Sequence, residues 1–356
     1  MVSNNVLGGH ALRIVVGFLM VALFFTYSAS AVTLAVEDGS VASGPMTWTA
    51  SNFPAFWHED GISGETLSVN QNDLSESQRV INRDNLVYSS TKRVVPYKIY
   101  TETGLAVWNG LDAYGSRVIS GGYYAKVGWL GKPYVAANGQ AFKLSEIILE
   151  QNSTDLKNLN VNETWNLGKD YNLTLIALDK NARQALFNLS NKSGIISEFI
   201  VEEGNSNTVW RNLADESDAP FFVTYMDNIS ENSVRLKYTW MISDNVTIIN
   251  SGDRFGIMEV RSYNSDGFSL SNENPITLLR GSTVNLLEGF DLVVNDNPLL
   301  ESYPRMLLTS DDIVSQYAGS DGIVQRDEAV KAVIDYFNEL ITKEDAIKVI
   351  TAYFSS

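Results

Sequence analysis

Tyr171-Asn172-Leu173-Thr174-Leu175-Ile176-Ala177-Leu178 decides the fold class. Its first five positions alternate apolar and polar residues, the period of a half-buried strand; an amphipathic helix repeats its apolar residues every three to four positions instead. Similar short segments follow at Ala185–Leu189, Ile195–Val201, Phe221–Tyr225, Val234–Met241, Val246–Ile249, Phe255–Tyr263 and Gly289–Val294. Others precede it at Leu86–Ser90, Arg93–Tyr100, Tyr123–Trp129 and Ser145–Glu150. Gly, Asn, Asp and Ser separate them, as turns require. Pro96 has no N–H to give a ladder, so its strand belongs at an edge or a bulge. Asn181–Leu186 has helical propensity but lies between two alternating segments, and reads as a turn and strand start. Many short strands with turn signals between them indicate a mainly β chain of antiparallel sandwiches or barrels. A β region of roughly 260 residues exceeds one ordinary sandwich. We therefore expect two β-sandwich-like subdomains within residues 32–305, joined near the polar stretch 152–163.

Composition removes several function classes. Of 356 residues, 44% are hydrophobic and 19% charged, the balance of a folded chain. No cysteine is present, which excludes disulfides, thiolate metal sites and a cysteine nucleophile. Two histidines, His10 and His58, are too few for a histidine-rich metal site. With 26 basic against 42 acidic residues the net charge is −16, which argues against a nucleic-acid partner, because such binders need a basic patch to displace counterions.

The first 31 residues read as a signal peptide. Arg13 precedes an apolar run from Ile14 to Phe25, and Ala29-Ser30-Ala31 has the small-x-small form of a cleavage site. About a dozen apolar residues is short for a bilayer span. Cleavage after Ala31 removes one positive charge and no acid, taking the charge from −16 to −17.

N-x-S/T sequons occur at Asn152, Asn162, Asn172, Asn188, Asn191, Asn228 and Asn245, and nowhere before or after that segment. Each alone is weak evidence, but their confinement points to N-linked glycans on an exported surface. Asn172 and Asn188 fall in expected strands, so use of either requires a solvent-facing position.

After Pro304 the pattern becomes helical. Ser310-Asp311-Asp312 can cap a short helix reaching Tyr317. Ala329, Val330, Val333, Ile334, Phe337 and Leu340 share one helical face. Thr342 can cap a last helix with apolar Ala346, Ile347, Ile350, Tyr353 and Phe354. Three short helices over 306–356 form a small C-terminal module. The turn between the first two resembles half of an EF-hand loop, with Asp321 at loop position five, Gly322 as its glycine, Gln325 at nine and Glu328 at twelve. Positions one and three fall on Tyr317 and Gly319, which lack carboxylates, so any calcium bound would be held weakly. The run Tyr317-Ala318-Gly319-Ser320-Asp321-Gly322-Ile323-Val324, with Asp335-Tyr336-Phe337 and Ile341-Thr342-Lys343-Glu344, resembles dockerin-like modules of exported archaeal proteins. That likeness implies a docking role toward another surface protein, as an alternative to self-association.

The β region is similar to the duplicated domain of the surface-layer (S-layer) proteins of methanogenic archaea. Thr47 to Trp57, Gly64-Glu65-Thr66-Leu67, Leu86-Val87-Tyr88 and Val94 to Tyr97 carry the likeness near the start. Leu167-Gly168, Tyr171-Asn172-Leu173, Phe255 to Val260, Ile276-Thr277-Leu278, Leu287-Glu288-Gly289 and Tyr303-Pro304 carry it further on. The resemblance covers residues 44–305 and implies paired β subdomains that tile a cell surface as an acidic, glycosylated lattice. Its partners would be other S-layer or envelope proteins or further copies of itself. The chain departs from the family's pattern in carrying one copy of the domain and in ending with the helical module.

A catalytic reading has little to stand on. Glu202-Glu203 and Asp311-Asp312 are acidic neighbours, and glycosidases need two carboxylates at a set separation. A solvated surface is the plainer account of adjacent acids. His58, beside Glu59 and Asp60, is the one candidate base. No phosphate loop, nucleophile elbow or zinc motif is present. The seven tryptophans are spread along the chain, which suits core packing better than a sugar-binding platform. The sequence thus predicts no enzyme and no required cofactor.

Overall fold

The computed structural model describes residues 34–37, 45–59, 63–107, 122–151, 154–214, 216–287, 289–308, 314, 317–318, 324–337 and 343–355. The leader, residues 310–313 and Asp321 lie outside them. The chain is mainly β, with antiparallel pairing throughout its sheets.

One six-stranded sheet has the order β18-β19-β20-β5-β3-β2: Arg254–Phe255, Met258–Tyr263, Gly267–Asn272, Leu86–Thr91, Glu65–Val69 and Met46–Thr49. A four-stranded sheet, β1-β24-β23-β22, joins Leu34–Glu37, Ser302–Leu308, Phe290–Val294 and Thr283–Leu287. These two contribute Trp48, Leu67, Tyr88 and Phe290 to a first apolar core, which Phe53 and Phe56 of the β2–β3 connection complete. A second four-stranded sheet, β11-β12-β13-β14, joins Thr164–Gly168, Tyr171–Asp179, Gln184–Asn191 and Gly194–Glu202. Its inward residues enter a second core with Phe221, Phe222, Leu236 and Trp240.

The largest sheet serves both cores. Its main path is β15-β16-β17-β9-β8-β7-β6, from Ser206–Leu213, Glu216–Ile229 and Ser233–Ile248 through Lys143–Glu150 and Lys132–Ala136 to Tyr123–Trp129 and Arg93–Pro96; β10, Lys157–Asn160, also pairs β17. Within β7, Ala125, Val127 and Trp129 join the first core while Tyr124 joins the second. Within β9, Leu144 and Leu149 divide the same way. Alternation sends successive side chains of one strand to opposite faces. Each core is therefore assembled from stretches far apart in sequence, with residues 254–308 returning to strands laid down by 46–91.

Most sequence-expected strands appear, Tyr123–Trp129 with the same bounds. Pro96 ends the edge strand β6, as its missing N–H requires. The expected strand 93–100 stops there: Lys98–Thr103 is a short helix, α1, closed by Gly104 in the left-handed conformation. Val246–Ile248 is not a separate strand but the end of β17. Gly289–Val294 is not the last strand, because β24 carries Pro304 inside it. The Leu307 N–H bonds Gly289 on the β23 side, so the nitrogen of Pro304 faces the β1 side, where pairing among the described residues ends at Arg305. Proline therefore loses no ladder bond there.

In the C-terminal module, the Ala318 N–H bonds the Val314 carbonyl in one helical turn, and α2, Arg326–Phe337, and α3, Lys343–Ser355, follow. Tyr317, Val324, Ala329, Ala332, Ala346 and Val349 form a third cluster that shares no residue with either β core. No described helix is long and apolar enough to cross a membrane.

Candidate functional surface

The sheet β11–β14 carries the densest set of sequons. Trp165, Leu167, Tyr171, Leu173, Leu175, Phe187 and Leu189 alternate inward and are buried. Each large side chain so buried contributes about 1.5–3 kcal/mol. The same alternation turns Thr164, Asn166, Asn172, Thr174, Asn188 and Ser190 to the other face. The register pairs Asn172 with Ser190 and Thr174 with Asn188. Two complete sequons thus lie side by side and antiparallel, the hydroxyl residue of each opposite the asparagine of the other. Both asparagines are half-buried. The Asn172 side-chain amide donates to the Asp170 carbonyl at 3.3 Å, and the Asn188 Oδ1 is shielded with no hydrogen-bond partner among the described residues.

The remaining described sequons border this second core. Asn162 is exposed at the tight turn between β10 and β11, with a left-handed φ of 67° and its N–H bonded to the Leu175 carbonyl at 2.7 Å. Asparagine tolerates that conformation better than most residues. Asn191 starts the β13–β14 turn, where its Oδ1 accepts the Ser193 N–H at 2.9 Å. Asn228 and Asn245 are exposed on β16 and β17. Asn152 lies outside the described residues. The six-stranded sheet β18-β19-β20-β5-β3-β2 and the sheet β1-β24-β23-β22 carry no sequon.

Two buried polar groups, on β3 and β7, are held by dense polar contacts, and sequence reading missed both. Glu65 is 1% exposed. Its Oε2 accepts the Trp57 N–H at 2.8 Å; its Oε1 accepts the Tyr88 hydroxyl at 2.6 Å and the Gly131 N–H at 3.0 Å. Desolvation pushes its pKa up to about 7, although those hydrogen bonds pull downward. Gly128 makes room for it: a Cβ there would lie 2.5 Å from Glu65 Oε2.

Lys126 is 2% exposed. Its Nζ meets Glu150 Oε2 at 2.6 Å and Glu59 Oε2 at 2.7 Å, and the Tyr124 hydroxyl donates to the other oxygen of Glu150. Burial disfavours the ammonium charge, but the two carboxylates outweigh it and hold the pKa above the ordinary lysine value. A charge inside an otherwise apolar strand, as in Tyr124-Ala125-Lys126-Val127, was the available signal, since such a charge needs a partner.

The chemistry of these groups is structural. Glu59 and Glu150 are committed to Lys126, and His58 beside them is exposed. Glu202 accepts from Gln184 and Glu203 from Arg183, so these adjacent acids address separate partners. Trp48, Trp57, Trp129, Trp165 and Trp240 are buried, as core packing predicts; Trp108 lies outside the described residues. At the expected calcium loop, Glu328 accepts the Gln325 N–H at 2.7 Å, the reach-back bond of a helix capping box. Tyr317 donates to Asp335. Among the described residues no group of three or more acidic or histidine side chains is placed to hold a metal.

A family model described as S-layer protein matches residues 37–296. The major S-layer protein of Methanosarcina barkeri is 28% identical over 283 residues, 75% of this chain and 39% of the relative. That of Methanosarcina acetivorans is 25% identical over 297 residues, 78% and 41%. That of Methanosarcina mazei is 24% identical over 320 residues, 82% and 45%. The chain spans about two-fifths of the length of these curated relatives.

Proposed function

The chain belongs to the S-layer protein family, and on that premise we propose that it works through its faces, as a non-catalytic, glycan-bearing component of a surface lattice. It is a structural protein of the cell surface. The family match over most of the β region carries this reading.

The glycan part of the proposal rests on distribution. The described sequons lie on or beside strands that border the second core, and the six-stranded sheet of the first core carries none. Glycans at Asn162, Asn228 and Asn245 would coat one part of the chain with hydrated bulk and leave the other bare for protein contacts. Self-association or pairing with other envelope proteins would then use the bare part and the helical module. Catalysis has no place in the proposal, because the buried carboxylates are engaged by Lys126, Tyr88 and backbone N–H groups. Weak calcium binding by Asp321, Gln325 and Glu328 is compatible with it, at low affinity, since calcium would compete with the Gln325 N–H for Glu328.

Fractionation of native cells with peptide-level mass analysis tests the reading. The expected result is envelope-bound protein beginning at Val32 and carrying added mass on peptides containing Asn162, Asn228 or Asn245. Unmodified protein in the soluble fraction, unable to form sheets visible by electron microscopy, overturns it.

A further inference from the structure

Lys126 is a primary amine sealed against two carboxyl groups inside a chain that has no cysteine. Lys126 and Tyr124 are two positions apart on β7 and share one face. Glu150 ends β9, with β8 between the two strands. Lys126 Nζ lies 2.6 Å from Glu150 Oε2 and 2.7 Å from Glu59 Oε2, while the Tyr124 hydroxyl donates to Glu150 Oε1. One C–O bond separates Oε2 from the carboxyl carbon. The nitrogen therefore starts close to the separation of about 3–3.5 Å that characterises a near-attack arrangement. The two acids are not equivalent. The Glu150 side chain is 13% exposed and held at both oxygens; that of Glu59 is 33% exposed. Tyr97, Tyr124 and Trp240 pack into one aromatic group beside the site, and Trp240 lies opposite Glu150 in the register.

We propose that Lys126 and Glu150 join in an intramolecular isopeptide bond, formed by the folded chain itself with Glu59 as proton relay. The ion pair is the resting state. One ammonium proton passes along the 2.7 Å contact to Glu59, freeing the electron pair of the amine. That pair attacks the Glu150 carboxyl carbon, and the carbon–nitrogen bond forms. Negative charge gathers on Oε1, where the Tyr124 hydroxyl already donates. The bond from carbon to Oε2 then breaks. Oε2 leaves as water with the two protons that the nitrogen has lost, both carried by Glu59. The nitrogen keeps one hydrogen, and Oε1 becomes the amide oxygen. Glu59 ends as the carboxylate it began, a third exposed and able to stay charged. No oxidant or outside reagent is consumed. Burial drives the step, because a cation and an anion in a desolvated site are replaced by one neutral amide and a released water. Fixed juxtaposition supplies what dilute amine and carboxylate lack, since effective molarities in such arrangements reach about 10⁵–10⁸ M. The product ties β7 to β9 across β8, in a surface chain with no disulfide to do so. The step occurs once per chain and is not turnover, so it goes beyond the non-catalytic surface reading without depending on it.

The test is the intact mass of the full chain made in a host that adds no N-linked glycans. The expected mass is one water below that of the sequence counted from its observed first residue. Protease digestion should release one branched peptide joining the segments that hold Lys126 and Glu150. Lys126→Arg keeps the cation but offers no nucleophilic amine, and should keep its full mass. Glu59→Gln keeps a hydrogen-bonding group and removes the relay; pulse-labelled chains of it should form the link at least about 100-fold more slowly. A folded wild type of full mass, with the two segments released separately, overturns the proposal. So does a water deficit that persists in Lys126→Arg, because the loss then lies elsewhere. A link from Lys126 to Glu59 overturns the choice of acceptor, and an unchanged rate in Glu59→Gln overturns the relay. The wild-type mass and digest decide the bond without any variant, so a variant that fails to fold leaves the test intact.

Discussion

Replacing Glu65 with glutamine isolates one buried titration. In the wild type the folded-state pKa stands near 7 against an ordinary 4.5. The sign follows from linkage. Below 4.5 the carboxyl is protonated folded or unfolded, so it gives stability no pH dependence there. As pH rises through about 7 the unfolded chain has already ionised while the folded chain must ionise in a desolvated site, so stability falls. At roughly 1.4 kcal/mol per pH unit, the gap between 4.5 and about 7 amounts to about 3 kcal/mol lost across that window. Glu65→Gln cannot ionise, and its stability should lack this slope. It has its own pH-independent cost: the amide oxygen can keep Tyr88 and Gly131, but the amide nitrogen then faces the Trp57 N–H, donor against donor. An unsatisfied buried donor costs about 1–3 kcal/mol. Urea unfolding of both proteins between about pH 5 and pH 8 reads the difference, and other titrations cancel in the comparison. Two stability curves running parallel across that range would refute the argument, because Glu65 would then not be changing charge there.

Lys126→Met should destabilise the chain by about 3–5 kcal/mol, since it leaves Glu150 buried without its cation; a loss below about 1 kcal/mol in urea unfolding contradicts the paired-charge account. Glu328→Ala should lower the stability of the helical module by about 1 kcal/mol through loss of the bond to the Gln325 N–H, read by helical circular dichroism on heating. The same variant should abolish any rise in melting temperature that millimolar calcium gives the wild type; an equal rise in both removes Glu328 from the calcium site.

The sequence displays local order far better than pairing. Alternation in Tyr171–Leu178 and Tyr123–Trp129 marks strands because those residues stand between core and solvent or between two cores. Ser206–Leu213 lacks that contrast and leaves little trace, while Gly267–Asn272 alternates only over Phe268–Ser271, a run too short to stand out. The pairing of Gly267 with Thr91 joins distant stretches, and nothing local encodes it. The C-terminal helices were legible from apolar spacing, but which apolar residues stay exposed was not: Ala329 and Phe337 share the expected face, yet the alanine is buried and the phenylalanine is not. Sequons were visible as strings, while their relation across β12 and β13 emerges only from register. Glu65 and Lys126 illustrate the reverse case, where polar residues stand at inward positions and find their partners from distant stretches of the chain.

Were the interlocked sequons of β12 and β13 to be modified, folding would compete with that modification. In the extended nascent chain Asn172 and Asn188 are equally open to a transferase. Once Asn172 faces Ser190 and Thr174 faces Asn188, each acceptor amide sits in a crowded row with the other motif as its wall. Hairpins close in about 1–10 μs when their sequence is complete. A glycan on Asn188 therefore records that modification outran strand pairing, and a bare Asn188 beside occupied Asn162 and Asn228 records the opposite. The occupancy of one asparagine, read from a peptide mass, would then order modification against strand pairing.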